Sequence, residues 1–270
     1  MPELPEVETT RRGIEPLIVG QTIVDVDVRQ PRLRWPVDRS LAAQVRKRQV
    51  CSVSRRGKYL LVTTDVGTVL IHLGMSGNLR FLEKPKTPSQ HDHVDFVFAS
   101  GAKLRFNDPR RFGSVHFTTS PFDHWLLRDL GPEPLGDTFS ADYLWSLSRQ
   151  RRVAVKQFLM NGRIVVGVGN IYASEALFRA GIHPKRAAGR IAQHRFGLLV
   201  DSVQDVLSEA IEAGGTTLRD FANEDGQPGY FQQELAVYGR AGDPCPVCST
   251  EIKHCVQGQR ATYYCPECQR

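Results

Sequence analysis

Apolar positions in the first half of the chain recur at every second residue. In QTIVDVDVRQ, Val24, Val26 and Val28 fall on one side and Asp25 and Asp27 on the other, the period of a half-buried strand. KYLLVTTD, GTVLIHLG, HVDFVFAS and AKLRFND carry similar short apolar runs bounded by Gly, Asp or Ser, and predict further strands. Short strands at this spacing predict a sandwich or barrel. Ahead of them, residues 7–17 predict a helix, with Pro5 near its start and Gly20 beyond its end. The period changes after LGPEPLG, residues 130–136, where two prolines and two glycines suit a stiff hinge. Beyond it, Ser140 is placed to cap a helix running through Ser146, and residues 153–160 predict another. Phe196, Leu199, Val200, Val203, Leu207 and Ile211 fall at helical spacing and predict a long helix stopped by Gly214-Gly215. The pattern is α+β: an N-terminal β domain with a leading helix, then a helical domain, then a tail rich in cysteine and proline from Asp243.

Composition adds a class of partner. The 270 residues are 41% hydrophobic and 24% charged, ordinary for a folded protein with room for two modest domains. No run of about 18 apolar residues predicts a membrane span, and the start lacks the basic and apolar blocks of a signal peptide, so a cytoplasmic location is expected. Lys+Arg 35 against Asp+Glu 29 leaves +6. That surplus favours polyanions but does not by itself separate a nucleic-acid enzyme from a basic metabolic one. The basic residues are grouped, at Arg11-Arg12, Arg46-Lys47-Arg48, Arg55-Arg56, Arg110-Arg111 and Arg149-Gln150-Arg151-Arg152. Each group reads as a solvated face or as part of a phosphate track.

Four of the six cysteines form CPVC and CPEC, separated by sixteen residues: Cys245, Cys248, Cys265 and Cys268. Two tight turns offering two thiolates each make a tetrahedral Zn²⁺ site. A disulfide framework does not suit a reducing compartment. Four sulfur ligands leave no open position, so the metal is structural, and a tail this small needs its binding energy to fold. Cys51 and Cys255 read as incidental thiols. Between the pairs, Gly258 suits a hairpin turn that puts Arg260 near the tip, either as a solvated arginine or as a phosphate grip.

MPELPEVETTRRG, RRGKYLL, HLGMSG, DPRRFG, VGVGNIYASEALFRAGIHP, GYFQQELAVYGR and the C-x₂-C…C-x₂-C tail occur together and in order. In this combination the chain resembles the bacterial formamidopyrimidine-DNA glycosylases from end to end. Endonuclease VIII is the sister family, with a pyrimidine preference; the MPELPEVE, HLGMSG and DPRRFG blocks favour the purine branch. The resemblance implies an N-terminal catalytic β-sandwich at 1–130, a hinge at 131–136, a helix–two-turn–helix DNA-binding domain at 137–235 and a Cys₄ zinc finger at 236–270. It also implies a monomeric base-excision repair enzyme acting on damaged double-stranded DNA at the nucleoid, with one structural Zn²⁺ and no organic cofactor. Its reaction is removal of 8-oxoguanine and formamidopyrimidines followed by strand cleavage through β,δ-elimination.

The chemistry of the first residues fits that implication. Loss of Met1 leaves Pro2 with a secondary amine at the terminus. A reference α-amine near 7.7–8.0 is neutral in roughly one molecule in seven at pH 7, against roughly one in 2,500 for a lysine. A neutral amine can attack the sugar C1′ and form an iminium adduct. Glu3 is the adjacent carboxyl group for proton transfer.

Further roles are implied by the resemblance alone. Lys58, at a strand start, holds the phosphate beside the lesion, and Glu6 is a supporting acid. Met75, Arg110 and Phe112 fill the hole left by the everted base, with the arginine pairing to the orphaned partner. Asn170, at the cap of a helix over 171–180, and Lys156, on a first helix over 153–161, contact phosphates. Glu175 lies within the lesion pocket. Tyr230, in the polar segment 217–233, covers the flipped base. Apart from the resemblance, His72, His91 and His93 read as strand-packing residues or phosphate contacts, with His91 taken as the DNA contact. A rival from another class is a catalytically silent zinc-finger DNA-binding protein.

Overall fold

The computed structural model describes residues 2–84, 86–214 and 235–270. The chain divides into two compact units. One comprises Met1–Arg128 with Ile211–Phe231, the other Asp129–Ala210 with Gln232–Arg270.

The first unit begins with α1 (Leu4–Ile18), β1 (Thr22–Val28), α2 (Leu41–Val45), β2 (Arg48–Arg56), β3 (Tyr59–Thr64) and β4 (Thr68–His72). It continues with β5 (Asn78–Leu82), β6 (Asp92–Phe98), β7 (Lys103–Asn107) and β8 (Ser114–Thr118). The strands run β5-β7-β6-β1-β2-β3-β4-β8. Only Thr22↔Gln49 and Ile23↔Arg48 join β1 to β2, so the order breaks there into two four-stranded halves. Ile23, Val26, Phe96, Leu104 and Phe106 from one half share a core with Val53, Leu60, Val62, Ile71 and Val115 from the other. That shared core makes the pair a sandwich.

Two features depart from the sequence pattern. Val24 does not join Val26 inside, because a register shift between Ile23 and Asp25 turns it outward to 36% exposure. Strands β2, β5 and β8 were not among the predicted ones; β2 is rich in Arg and Ser and lacks a clear alternation, while β5 and β8 are only five residues long.

The second unit holds α3 (Ala141–Ser148), α4 (Val155–Leu159), α5 (Asn170–Arg179) and α6 (Gln193–Gly214), whose residues from Ile211 count with the first unit. The antiparallel pair β9 (Lys253–Gln257) and β10 (Arg260–Tyr264) follows. Ser140 caps α3 as expected, its hydroxyl accepting from the Tyr143 N–H at 3.2 Å. The Pro/Gly stretch 130–136 lies against the loop after α4. Gly131 N–H donates to Gly162 O at 2.8 Å and Val166 N–H to Pro132 O at 3.1 Å. A Cβ on Gly131 would sit 2.7 Å from the Ile164 backbone, so the glycine is required by close approach. None of the described helices is long and apolar enough to cross a membrane.

Candidate active site and nucleic-acid interface

Glu3, directly after Pro2, is the N-cap of α1. It forms a capping box: its backbone N–H donates to Glu6 Oε2 at 2.8 Å, while its own carboxylate receives the Glu6 N–H. Pro5 occupies the first turn, where its missing N–H costs nothing. Glu3 is only 2% exposed and Pro2 is half-buried. The acidic, proline-rich start is therefore a helix start, in which Glu6 fixes the backbone of Glu3.

Lys58 lies one step before β3, in the two-residue Gly57-Lys58 turn between Arg56 and Tyr59. Gly57 adopts φ +56°, which a glycine takes at no steric cost. Tyr59 pairs with His72 across the ladder, and their rings sit 4.8 Å apart. Gly74 N–H donates to His72 Nδ1 at 3.0 Å, so Nε2 carries the proton of the neutral ring and is a donor. Burial pushes the His72 imidazole down to about 4, with the charges of Arg34 and Lys58 adding to the effect. His116 is also pushed down to about 4, by burial and then by His124. Both are neutral when folded and protonate below about pH 6.5 when unfolded. Their contribution is therefore present above pH 6.5 and lost as pH falls towards 4. The urea midpoint is expected to fall between about pH 7.5 and about pH 5, with a shallower fall in His116→Gln.

Met75 sits in the turn after β4, and Arg110-Arg111-Phe112 in the loop before β8. The two segments meet backbone to backbone: a Cβ on Gly74, itself at φ +66°, would lie 2.4 Å from Phe112 C and Gly113 N. Buried Asp108 ties them further, accepting from Ser76 Oγ at 2.7 Å, Gly113 N–H at 2.8 Å and Arg110 N–H at 3.3 Å. On this frame Arg110 and Phe112 are exposed, the guanidinium 4.9 Å from the ring centre. Phe112, at 42% exposed, is not a core residue. His93 is buried and spent on Asp108 O at 2.8 Å. His91 is half-buried, and its carbonyl accepts from Asp108 N–H at 3.0 Å, which places it beside the same loop.

In the second unit, Gly169 is the N-cap of α5 and Asn170 its first residue. Asn170 Nδ2 donates to Ala261 O at 3.0 Å and Tyr238 Oη at 3.2 Å. Lys156 does not face solvent. It is 1% exposed, and its ammonium donates to Ala261 O at 3.0 Å and Thr262 Oγ1 at 2.9 Å. Glu175 is buried as well, and its carboxylate accepts Ala236 N–H (2.8 Å), Val237 N–H (3.0 Å) and Tyr238 N–H (2.8 Å). These two charges are buried because they satisfy the backbone of the strand and segment packed against them. Glu175→Gln leaves one oxygen where three N–H groups converge. It is expected to cost about 2–3 kcal/mol, roughly that of lost charged hydrogen bonds, read by chemical denaturation.

Gly258 (φ +53°) and Gln259 (φ +62°) form a type I′ turn, and Arg260 follows it, exposed, opposite Gln257. Behind the hairpin, the ligand atoms of Cys245, Cys248, Cys265 and Cys268 all lie within 4.8 Å of one another. Four converging thiolates suit a closed tetrahedral Zn²⁺ site, and these residues hold one structural zinc ion. Tyr230 and the segment 217–233 lie outside the described residues.

Not every basic cluster is available to phosphates. Arg11 and Arg12 bind Glu8, and Arg149 stacks 4.8 Å over Trp145 while donating to Ile191 O.

Residues 1–115 match the formamidopyrimidine-DNA glycosylase N-terminal domain, 130–222 the formamidopyrimidine-DNA glycosylase H2TH domain, and 242–270 the zinc finger found in FPG and IleRS. The chain belongs to the formamidopyrimidine-DNA glycosylase family. Members are DNA glycosylases with AP lyase activity. Family members from Thioalkalivibrio sulfidiphilus and Photobacterium profundum are 57% identical over 271 residues and 54% over 270, with full coverage of both chains in each pair. The fold matches the Lactococcus lactis Fpg in complex with abasic-site DNA, with a TM-score of 0.89 and 33% identity over 99% of each chain. It also matches MutM (Fpg) from Thermus thermophilus, with a TM-score of 0.86 and 39% identity over 99% of this chain and 98% of that one.

Within this glycosylase frame, three groups escaped sequence reasoning. Asp108 and Ser76 carry no signal beyond lying in the DPRRFG and HLGMSG blocks. The donor state of His72 depends on a backbone N–H that only the fold supplies.

Proposed function

We propose that this chain excises oxidised purines, 8-oxoguanine and formamidopyrimidines, from duplex DNA with Pro2 as nucleophile, and then cleaves the strand. The observation that carries the reading is the capping box: it holds the backbone directly after Pro2 in place, with Glu3 buried beside it. A chain end held this way can serve as a positioned catalytic group.

With Met1 removed, the neutral Pro2 nitrogen attacks C1′; the C1′–N bond to the base breaks, and the base leaves with that electron pair and gains a proton. Protonation of O4′ opens the sugar and leaves an iminium at C1′. Loss of the C2′ proton expels the 3′ phosphate, and a second elimination expels the 5′ phosphate. Water then releases the sugar fragment and restores the amine. Glu3 is the group placed to move protons at O4′ and C2′, with Glu6 supporting it. The Lys58 ammonium and the His72 Nε2–H are donors for the phosphate beside the lesion. Asn170 and Arg260 extend that grip, and His91 contacts the backbone near the loop it supports. Met75 and Phe112 occupy the vacated stack while Arg110 pairs with the orphaned base. Tyr230 covers the everted base. Lys156 and Glu175 support the hairpin and its linker. This assigns catalysis to residues 1–130, a hinge to 131–136, DNA binding to 137–235 and the finger to 236–270. The enzyme works as a cytoplasmic, nucleoid-bound monomer, one chain carrying both nucleophile and DNA-binding elements.

Borohydride trapping tests the reading. A covalent adduct is expected on an 8-oxoguanine:C duplex, mapped by mass to Pro2, with slower excision of thymine glycol. Absence of any adduct would leave only a DNA-binding module, and a preference for thymine glycol would move the chain to the pyrimidine branch.

A further inference from the structure

The Glu8 carboxylate, one face of α1 below the capping box, gathers three guanidinium groups. Arg11 donates at 2.9 Å, Arg12 at 3.0 Å and Arg55 at 3.1 Å. Burial pushes the Glu8 carboxyl up, but the hydrogen bonds of Arg11 and Arg12 and the charge of Arg55 outweigh it and hold the group below its usual range. Arg11 and Arg12 are on the same helix and answer Glu8 locally. Arg55 differs: it belongs to β2, and both it and Glu8 have side chains only 12% exposed. While its Nε binds Glu8, its Nη1 donates to Gly57 O at 2.9 Å, the residue before Lys58. Arg11 adds a second tie from the helix to the strand, at 3.3 Å to Val53 O.

We infer that Glu8 and Arg55 are positioning residues that register the nucleophile's helix against the turn carrying Lys58. The inference rests on the assignment of Pro2 and Lys58 to catalysis. The physical reason is the shape of the guanidinium. Its planar fork can accept one orientation from a carboxylate and pass it to a carbonyl in a different direction, which a flexible point charge does less well. The Arg55–Gly57 bond fixes the first residue of the two-residue Gly57-Lys58 turn. Glu8 is within about 7 Å of the helix start at 1.5 Å per residue, so a shift there moves the amine almost directly. Displacement of reacting groups by about 1 Å can cost on the order of 10²-fold in rate without altering substrate affinity.

Glu8→Gln, Arg55→Gln and the double variant are compared at saturating enzyme in single-turnover excision of 8-oxoguanine and in cleavage of a preformed abasic site. The expected result is a roughly 10- to 100-fold loss in both steps for each single variant, with the dissociation constant for an uncleavable abasic analogue unchanged. The double variant is expected to be no worse than the poorer single one, because the two side chains form one link. Three results would each overturn the inference: wild-type rates well below the melting temperature, losses that multiply in the double variant, or a rate loss matched by weakened binding. Pro2→Gly and Lys58→Met run alongside. Should either of those turn over normally, the catalytic assignment itself fails; should they be inactive while the Glu8 and Arg55 variants are normal, only the link is disproved.

Discussion

Replacing Pro2 by glycine is expected to lower 8-oxoguanine excision by roughly 10²-fold or more and to abolish most borohydride trapping, while lesion binding persists. Glycine keeps a terminal amine, so the effect isolates what proline supplies beyond nucleophilicity. Proline's ring fixes the direction of its nitrogen, and that secondary nitrogen forms an iminium with no N–H left to lose, so the adduct stays cationic. Glycine at the end of the chain restores backbone freedom just before the Glu3–Glu6 capping box, and a near-attack geometry worth orders of magnitude is lost. Binding persists because the phosphate and wedge groups lie on other segments. Single-turnover kinetics and titration of an uncleavable analogue separate the two quantities, and unimpaired excision would remove Pro2 from the mechanism. Intact mass of the wild-type protein completes the test: the reaction requires that Met1 be absent.

Cys248→Ser is expected to release the zinc ion and melt the β9–β10 hairpin, weakening DNA binding without directly touching the amine. The finger's own buried cluster is small, chiefly Val237, Cys245, Ile252 and Cys265 against Phe178. Such a core cannot offset the conformational entropy of the tail, whereas structural Zn²⁺ contributes on the order of 10–16 kcal/mol in small finger peptides. The damage should spread to the neighbouring helices' contacts, since Lys156 and Asn170 both donate to Ala261 on β10. Metal content by elemental analysis, hairpin proteolysis and DNA affinity read the result. Retention of zinc, or unchanged affinity after its loss, would contradict a structural metal that holds Arg260 in place.

Much of this molecule is written locally. Zinc ligation is legible in CPVC and CPEC because four thiols at that spacing leave few other uses. The helix α1 is legible from its apolar spacing, but its start is not: the pattern begins at Val7, whereas the Glu3–Glu6 capping box starts the helix at Leu4. The strands rich in Val, Leu and Ile are legible because burial on one face imposes a period of two. Where the pattern failed, the cause was an interaction with a distant segment. A bulge against β6 sent Val24 outward, and β2 lies in the sheet although its own sequence does not alternate clearly.

Charged residues show the same division more sharply. By itself, the sequence determined the fold class, the metal site and the candidate chemistry of Pro2, Glu3 and Lys58, because residue type, spacing and family motifs carry those. Tertiary structure alone decided which charges were open to solvent and which were committed. Lys156 and Glu175 looked like binding groups and proved to be buried partners of backbone atoms 61 to 105 residues away. Glu8 and Arg55, 47 residues apart, meet across a helix and a strand. A buried charge must find its partner wherever the fold brings one, and no local pattern records that distance.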